Sequence, residues 1–189
     1  MKAPLVAALL FALPFIAFAQ VDIDPATLAK ANAGDPAAQV AVGEKYAQAA
    51  ATAQDPDEAT ENWNKSAEWY IKAAAKDHIP AEIHLADAYS YGHGVPRDKV
   101  KAAEWYRRAA DQGDPGAQGT LGMLYTIGQG VPQDDAEAYF WFDLAASVGS
   151  PNEQRYIDNR QNVGTRITAD QLVAVQQRVK KWKAAHPRQ

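Results

Sequence analysis

The sequence predicts an all-α protein, an α/α solenoid of helix-turn-helix units with a C-terminal capping helix. Three observations carry this expectation. First, a block of landmarks recurs. Tyr89, the loop Gly92-His93-Gly94-Val95-Pro96, Asp98, Trp105-Tyr106 and Ala109-Ala110 return as Tyr125, Gly128-Gln129-Gly130-Val131-Pro132, Asp134, Trp141-Phe142 and Ala145-Ala146, each displaced by 36 residues. Second, a linker recurs at Gly34-Asp35-Pro36, Asp77-His78-Ile79-Pro80, Gly113-Asp114-Pro115 and Gly149-Ser150-Pro151, in steps of 43, 36 and 36. Third, apolar residues between the landmarks fall at i, i+4 and i+8, as on one face of a helix. Periods of this size mean stacked helical units, because so small a unit cannot bury its own apolar face.

Taken in order, residues 1–19 read as a signal peptide. Lys2 gives a positive start, Pro4–Ile16 is an apolar run and Ala17-Phe18-Ala19 is a small-x-small cleavage pattern. The run is too short for a membrane span, which needs about 20 apolar residues. No Cys stands at the expected cut, so a lipid anchor has nothing to attach to. The mature chain is expected to start at Gln20 and to form one domain over 20–189, periplasmic or secreted and not inserted in the membrane.

That domain divides into a half-repeat cap at about 25–34, repeats at about 35–77, 78–113 and 114–149, and a C-terminal cap over 150–189. In each repeat the linker supplies a helix-ending Gly, an N-cap and a first-turn Pro. The first helix then places Ala81, Leu85 and Tyr89 (or Ala117, Leu121 and Tyr125) on one face. Gly92 and Gly94, or Gly128 and Gly130, turn the chain, and Asp98 or Asp134 caps the second helix. That helix is expected to bury Ala102, Trp105 and Ala109, or Ala138, Trp141 and Ala145. The first repeat is seven residues longer, and Tyr46 and Trp69 lie 23 apart where Tyr89 and Trp105 lie 16 apart. One extra turn on each helix would absorb the difference, with Asp55-Pro56 opening the longer second helix. At the far end Glu153–Arg160 reads as a first helix without its partner. Thr168-Ala169-Asp170-Gln171 is a capping box opening a last helix, with Leu172, Val175, Val179 and Trp182 as its stripe.

These residues resemble Sel1-like repeats, relatives of the tetratricopeptide repeat. The pattern Ala-x-x-x-Leu-Gly-x-x-Tyr-x-x-Gly-x-Gly-Val, then Asp, Ala-x-x-Trp and Ala-Ala, is matched nearly throughout by 117–149. Residues 81–113 carry Ala86 for the first Gly, and 38–76 carry Val42 for Leu and lack the glycine loop. The resemblance implies a right-handed superhelix acting as an interaction scaffold, often in bacterial signalling or envelope processes, with its first helices lining the concave surface.

Composition and motifs exclude much chemistry. The chain has no Cys, so thiol nucleophiles, metal–thiolate sites and disulfides are excluded. Residues 20–170 hold 13 Lys/Arg against 23 Asp/Glu, which argues against nucleic acid as a partner. The five cations of 171–189 suit a helix C-terminus. No motif of a zinc protease, serine hydrolase or phosphate-binding loop occurs, and no cofactor or metal is implied. His84, Asp87 and His93 could approach a metal, but no third fixed ligand is evident and solvated polar residues explain them better. The Trp residues at repeat positions (Trp69, Trp105, Trp141) read as packing. Trp63 breaks the period and is either packed on the long repeat or exposed at a contact surface.

The remaining candidates lie on the first-helix face opposite Leu85 and Tyr89. They are Val40, Glu44 and Gln48, then Ile83, Asp87 and Tyr91, then Met123, Thr126 and Ile127, a groove with apolar spots and two carboxylates. The alternative is that this face is only the solvated side of the solenoid. The expected function is a non-enzymatic periplasmic scaffold or adaptor for a protein or peptide. The alternatives are an envelope enzyme acting on peptidoglycan or a β-lactam, and a glycan-binding module. On the scaffold reading, exchanging Glu44 and Asp87 for Lys weakens partner capture and leaves thermal stability unchanged.

Overall fold

A capping carboxylate opens most of the helices, at the places where the period puts an Asp. The computed structural model describes residues 21–146 and 152–186, so the leader segment and the linker Gly149-Ser150-Pro151 lie outside it. The described residues form α1 (Pro25–Asn32), α2 (Pro36–Thr52), α3 (Pro56–Ala74), α4 (Ile79–Tyr91), α5 (Lys99–Asp111), α6 (Pro115–Ile127), α7 (Asp135–Ala146), α8 (Glu153–Gly164) and α9 (Ala169–Ala185), with no strand among them. Asp35 and Asp114 accept from the Ala38 and Ala117 amides at 2.7 Å, each with a Pro in the first turn. Asp98 accepts from Val100 and Lys101, and Asp134 from Ala136 and Glu137. Each such cap contributes about 1 kcal/mol. The second linker departs from the rule. Asp77 takes the left-handed position (φ 55°) where Gly34 and Gly113 sit elsewhere, so it ends α3 rather than capping α4. His78 precedes α4 with no side-chain cap.

The two glycines of each loop have different tasks. Gly92 (φ 80°) and Gly128 (φ 67°) end α4 and α6 in the left-handed conformation, which costs glycine nothing. Gly94 and Gly130 also have positive φ, and they lie against the preceding unit. A Cβ on Gly94 would sit 2.1 Å from the Trp63 carbonyl oxygen, and one on Gly130 would sit 2.0 Å from that of Lys99. Each loop therefore rests its backbone on the backbone of the previous second helix, 31 residues back in both cases.

The long first repeat follows the expectation of added helix. α2 has 17 residues and α3 has 19, where α4 and α5 have 13 each. The connection between them shortens to Ala53–Asp55, so helix replaces the glycine loop.

Packing corrects one expectation. Of each aromatic pair, the second member fills the core. Tyr70, Tyr106 and Phe142 are buried, whereas Trp69 and Trp105 are only partly covered. Their rings lie under cations instead, Lys72 at 4.1 Å and Arg108 at 4.5 Å. Only Trp141 is fully enclosed, at 2% exposure. Alanines at Ala73-Ala74, Ala109-Ala110 and Ala145-Ala146 let the helices close on one another. Gly43 and Gly122 make room for Tyr70 and Phe142, whose ring atoms would lie 2.6 and 2.8 Å from an added Cβ.

At the C-terminal end α8 and α9 both pack on α7. The Thr168–Gln171 capping box forms with both of its hydrogen bonds, and Val175 and Val179 are buried against the last repeat with Leu172 and Trp182 beside them. The basic tail binds specific carboxylates: Arg178 pairs with Glu137 at 2.5 Å and Lys183 with Asp143 at 2.8 Å.

A repeated polar bond links consecutive units. Gln39 Nε2 donates to the Ala31 carbonyl and Gln118 Nε2 to the Ala110 carbonyl, both at 3.1 Å. The middle repeat has Glu82 at this place, with no exposed side-chain surface. Its carboxylate accepts from Gln112 Nε2 at 2.7 Å and meets Arg108 Nε at 3.2 Å. Burial, only partly offset by Arg108, holds the Glu82 carboxyl above the usual glutamate range. A folded-state pKa above the unfolded one gives stability that is complete below the unfolded value, about 4.3, and lost as pH rises through the folded value. Glu82→Gln, which restores the bond of its neighbours, should therefore gain about 1 kcal/mol at pH 7 and have no advantage near pH 4. Denaturant titrations at the two pH values check this, and a loss at pH 7 would show that the Arg108 pair outweighs the burial.

Candidate partner-binding groove

The first helices α2, α4, α6 and α8 succeed one another along one side of the solenoid, and three clefts open along them. The first has a volume of about 400 Å³ and is lined by Glu44, Trp63, Tyr70, His84, Asp87, Tyr91 and His93 among others. The second, about 260 Å³, takes Ile83, Asp87, Tyr106, Met123, Arg155 and Tyr156. The third, about 250 Å³, takes Met123, Thr126, Ile127, Phe142, Arg155 and Asn159. Neighbouring clefts share walls, Asp87 between the first and second, Met123 and Arg155 between the second and third.

The structure brings together most of the residues read from the sequence. Glu44, Asp87 and Tyr91 line the first cleft, Ile83 the second, Thr126 and Ile127 the third, and Met123 both of the latter. Tyr91, Ile127 and Met123 are large apolar side chains left 68%, 62% and 40% exposed. Two residues fall elsewhere. Val40 is 7% exposed, packed in a cluster with Ala81, Leu85 and Ala88 of the next first helix. Gln48 is exposed but lines none of these clefts.

Val40 and Gly119 face the following first helix, where a Cβ at Gly119 would strike the Tyr156 ring at 2.1 Å, while Ile83 between them is half-buried and borders the second cleft. The open face thus begins one turn later, at Glu44, Asp87 and Met123.

The walls that the sequence did not reveal come from outside the first helices of the three repeats. Trp63 belongs to the lengthened α3 and is both packed and partly exposed. Its ring stacks on His93 at 3.8 Å and 12°, and Tyr91 continues the stack at 5.6 Å. His84 stacks on Tyr70 at 4.6 Å, with its Nε2 3.2 Å from Glu44 Oε1. Arg155, Asn159 and Val163 are what the 36-residue period yields when carried from Gly119, Met123 and Ile127 into α8.

The charges of the groove are unevenly placed. Glu44 and Asp87 stand at its N-terminal end. Arg155 stands between the second and third clefts, its guanidinium donating to Met123 Sδ at 3.3 Å, with no carboxylate among the described residues in ion-pair range. Burial keeps His93 below the usual histidine range, so its ring is neutral at neutral pH. His84, Asp87 and His93 do not converge on a common point, and no group of three metal-ligating side chains occurs among the described residues.

The Sel1 repeat profile matches residues 36–78, 79–114 and 115–150. The chain belongs to the Sel1 repeat family. Sel1-repeat proteins are typically non-enzymatic and mediate protein–protein interactions. Among solved structures it is similar to a protective antigen of uropathogenic Escherichia coli strains that displays an SLR fold. The two share 27% identity and a TM-score of 0.60, over 84% of this chain and 40% of that one. It is also similar to a Sel1 repeat protein of Oxalobacter formigenes, at 29% identity and a TM-score of 0.58, over 68% of this chain and 49% of that one. The chain thus spans less than half the length of either relative. No curated protein matches it. Among the described residues no helix is long and apolar enough to cross a membrane.

Within this Sel1 domain the two groove carboxylates are not equivalent, which corrects the expectation for the double Lys exchange. The Glu44 side chain is 56% exposed. Asp87 accepts the hydroxyl hydrogen of Tyr106, a buried phenol whose pKa burial and this bond push well up. Asp87→Lys leaves that hydroxyl buried without its acceptor and should cost about 1–3 kcal/mol. Asp87→Asn keeps an acceptor and should cost less, and Glu44→Lys should change stability by under about 0.5 kcal/mol. Equal stabilities for Asp87→Lys and Glu44→Lys in denaturant titrations would contradict this assignment.

Proposed function

We propose that this Sel1 domain is an exported scaffold that captures a protein or peptide on the face of α2, α4, α6 and α8, and that it works in the bacterial envelope. The observation that carries the reading is the run of three clefts with shared walls, flanked by exposed Tyr91, Met123 and Ile127. A continuous groove with apolar anchors and a few charges suits an extended segment, since the anchors supply affinity and the charges supply register. The typical role of Sel1-repeat proteins supports it. Export rests on the leader pattern at residues 1–19, and a periplasmic or secreted location follows from that leader.

Photoreactive residues placed at Met123 or Ile127 should crosslink to a protein partner in the cells that make the chain. The same probes at Val100 or Val173, which are exposed on α5 and α9, should not. Equal capture from all four positions, or from the second pair alone, would contradict the groove. Fractionation of the same cells should find a chain beginning at Gln20 outside the cytoplasm. A full-length cytoplasmic protein would overturn export and leave the groove assignment standing.

A further inference from the structure

The first cleft has a chemistry that the other two lack. Its walls carry five aromatic or imidazole rings in two stacks, Trp63–His93–Tyr91 and Tyr70–His84. Two carboxylates, Glu44 and Asp87, join them, and no Lys or Arg lines it. No Lys or Arg among the described residues forms an ion pair with either carboxylate. One oxygen of each is engaged inside the protein, Glu44 Oε1 beside His84 and Asp87 Oδ1 under the Tyr106 hydroxyl. The floor carries Ser66, 1% exposed. Its hydroxyl lies next to the Tyr70 phenol without reaching good hydrogen-bond geometry. The volume of about 400 Å³ falls in the range of pockets that enclose a ligand group.

Resting on the scaffold reading above, the geometry points to a defined occupant for this cleft: an arginine or lysine side chain of the captured segment. Ring faces attract a cation through their quadrupole, most strongly where water is partly excluded. The free carboxylate oxygens accept the N–H bonds that a guanidinium or ammonium brings, and charge-assisted bonds of this kind are the stronger ones.

A segment fits better than a free small cation, because the cleft does not close. At Asp87 it opens into the second cleft, where Ile83 and Met123 offer an apolar wall, so an apolar residue following the basic one stays in contact. Arg155 beyond them repels a second cation and favours a carboxylate or an uncharged end. The segment therefore has a basic residue at the α2–α4 end and apolar, non-basic residues towards α8.

The test uses a blocked pentapeptide, acetyl-Gly-Arg-Leu-Leu-Gly-amide, and its citrulline counterpart, which keeps the shape and loses the charge. The full mature chain is titrated with each while the indole N–H resonance of Trp63 is followed. The arginine peptide should shift that resonance saturably and bind about tenfold more tightly than the citrulline peptide. Glu44→Gln, at an exposed position that keeps an acceptor for His84, should weaken the arginine peptide about fivefold and the uncharged citrulline peptide by less than about twofold. Equal binding of the two peptides would overturn the cation site while upholding a peptide-binding face. A shift by acetylarginine amide or spermidine as tight as the peptide's would overturn the segment in favour of a small-cation site. No shift at Trp63 with any of these would overturn the inference itself, and crosslinking from Met123 and Ile127 would still judge the wider face independently.

Discussion

The structure depends on a close approach of backbone to backbone between consecutive repeats. Gly94 lies on the Trp63 carbonyl and Gly130 on the Lys99 carbonyl, where even a methyl group would overlap the oxygen. Positive φ and the lack of space both require glycine there. The contact sets the distance and rotation between neighbouring units, and the lining-up of the first helices follows from it. It also explains how an irregular first repeat is tolerated. The seven additional residues all precede Trp63, so the 31-residue separation from carbonyl to glycine is the same in both loops. Added helix changes the length of the first unit without changing how the second docks on it.

Because the loops and second helices join the repeats, the first helices are left with one side uncovered. The seam and the open face of a first helix are one turn apart. Val40 and Gly119 face the next first helix, while Glu44, Asp87 and Met123 face outward. The charge distribution then gives the open face a direction, with carboxylates over the first cleft and Arg155 between the second and third. An acidic surface alone would not distinguish one orientation of a bound segment from the other.

Much of the fold was legible in the residues, since caps, left-handed glycines and the 36-residue period each have a local physical cause. The burial of the aromatic pairs was not. Adjacent residues on a helix point about 100° apart, and only the neighbouring unit decides whether Trp105 or Tyr106 faces the core. For the same reason no local pattern shows that Val40 is covered, since its cover is supplied by α4 and not by its own helix. Trp63 and His93 could not be assigned to the groove from the first-helix pattern, because one comes from the added length of α3 and the other from a loop. Arg155 could have been found, by carrying the period one step further into α8. The role of Asp87 as acceptor for Tyr106 depends on a contact 19 residues away, and no local pattern announces it.

The most direct test of this account is the stability of Gly94→Ala together with the fluorescence of Trp63, set against Gly116→Ala as a control within an exposed first turn. Gly94→Ala should lose about 2–4 kcal/mol, from strain at positive φ and from overlap with the Trp63 carbonyl, and should alter the Trp63 environment. Gly116→Ala should change stability by less than about 1 kcal/mol, since its added Cβ meets only the Asp114 cap oxygen, at 3.1 Å, and the better helix propensity of Ala offsets that contact. A Gly94→Ala chain as stable as the parent, with Trp63 unchanged, would contradict the claim that this contact sets the stacking of the repeats and the groove that depends on it.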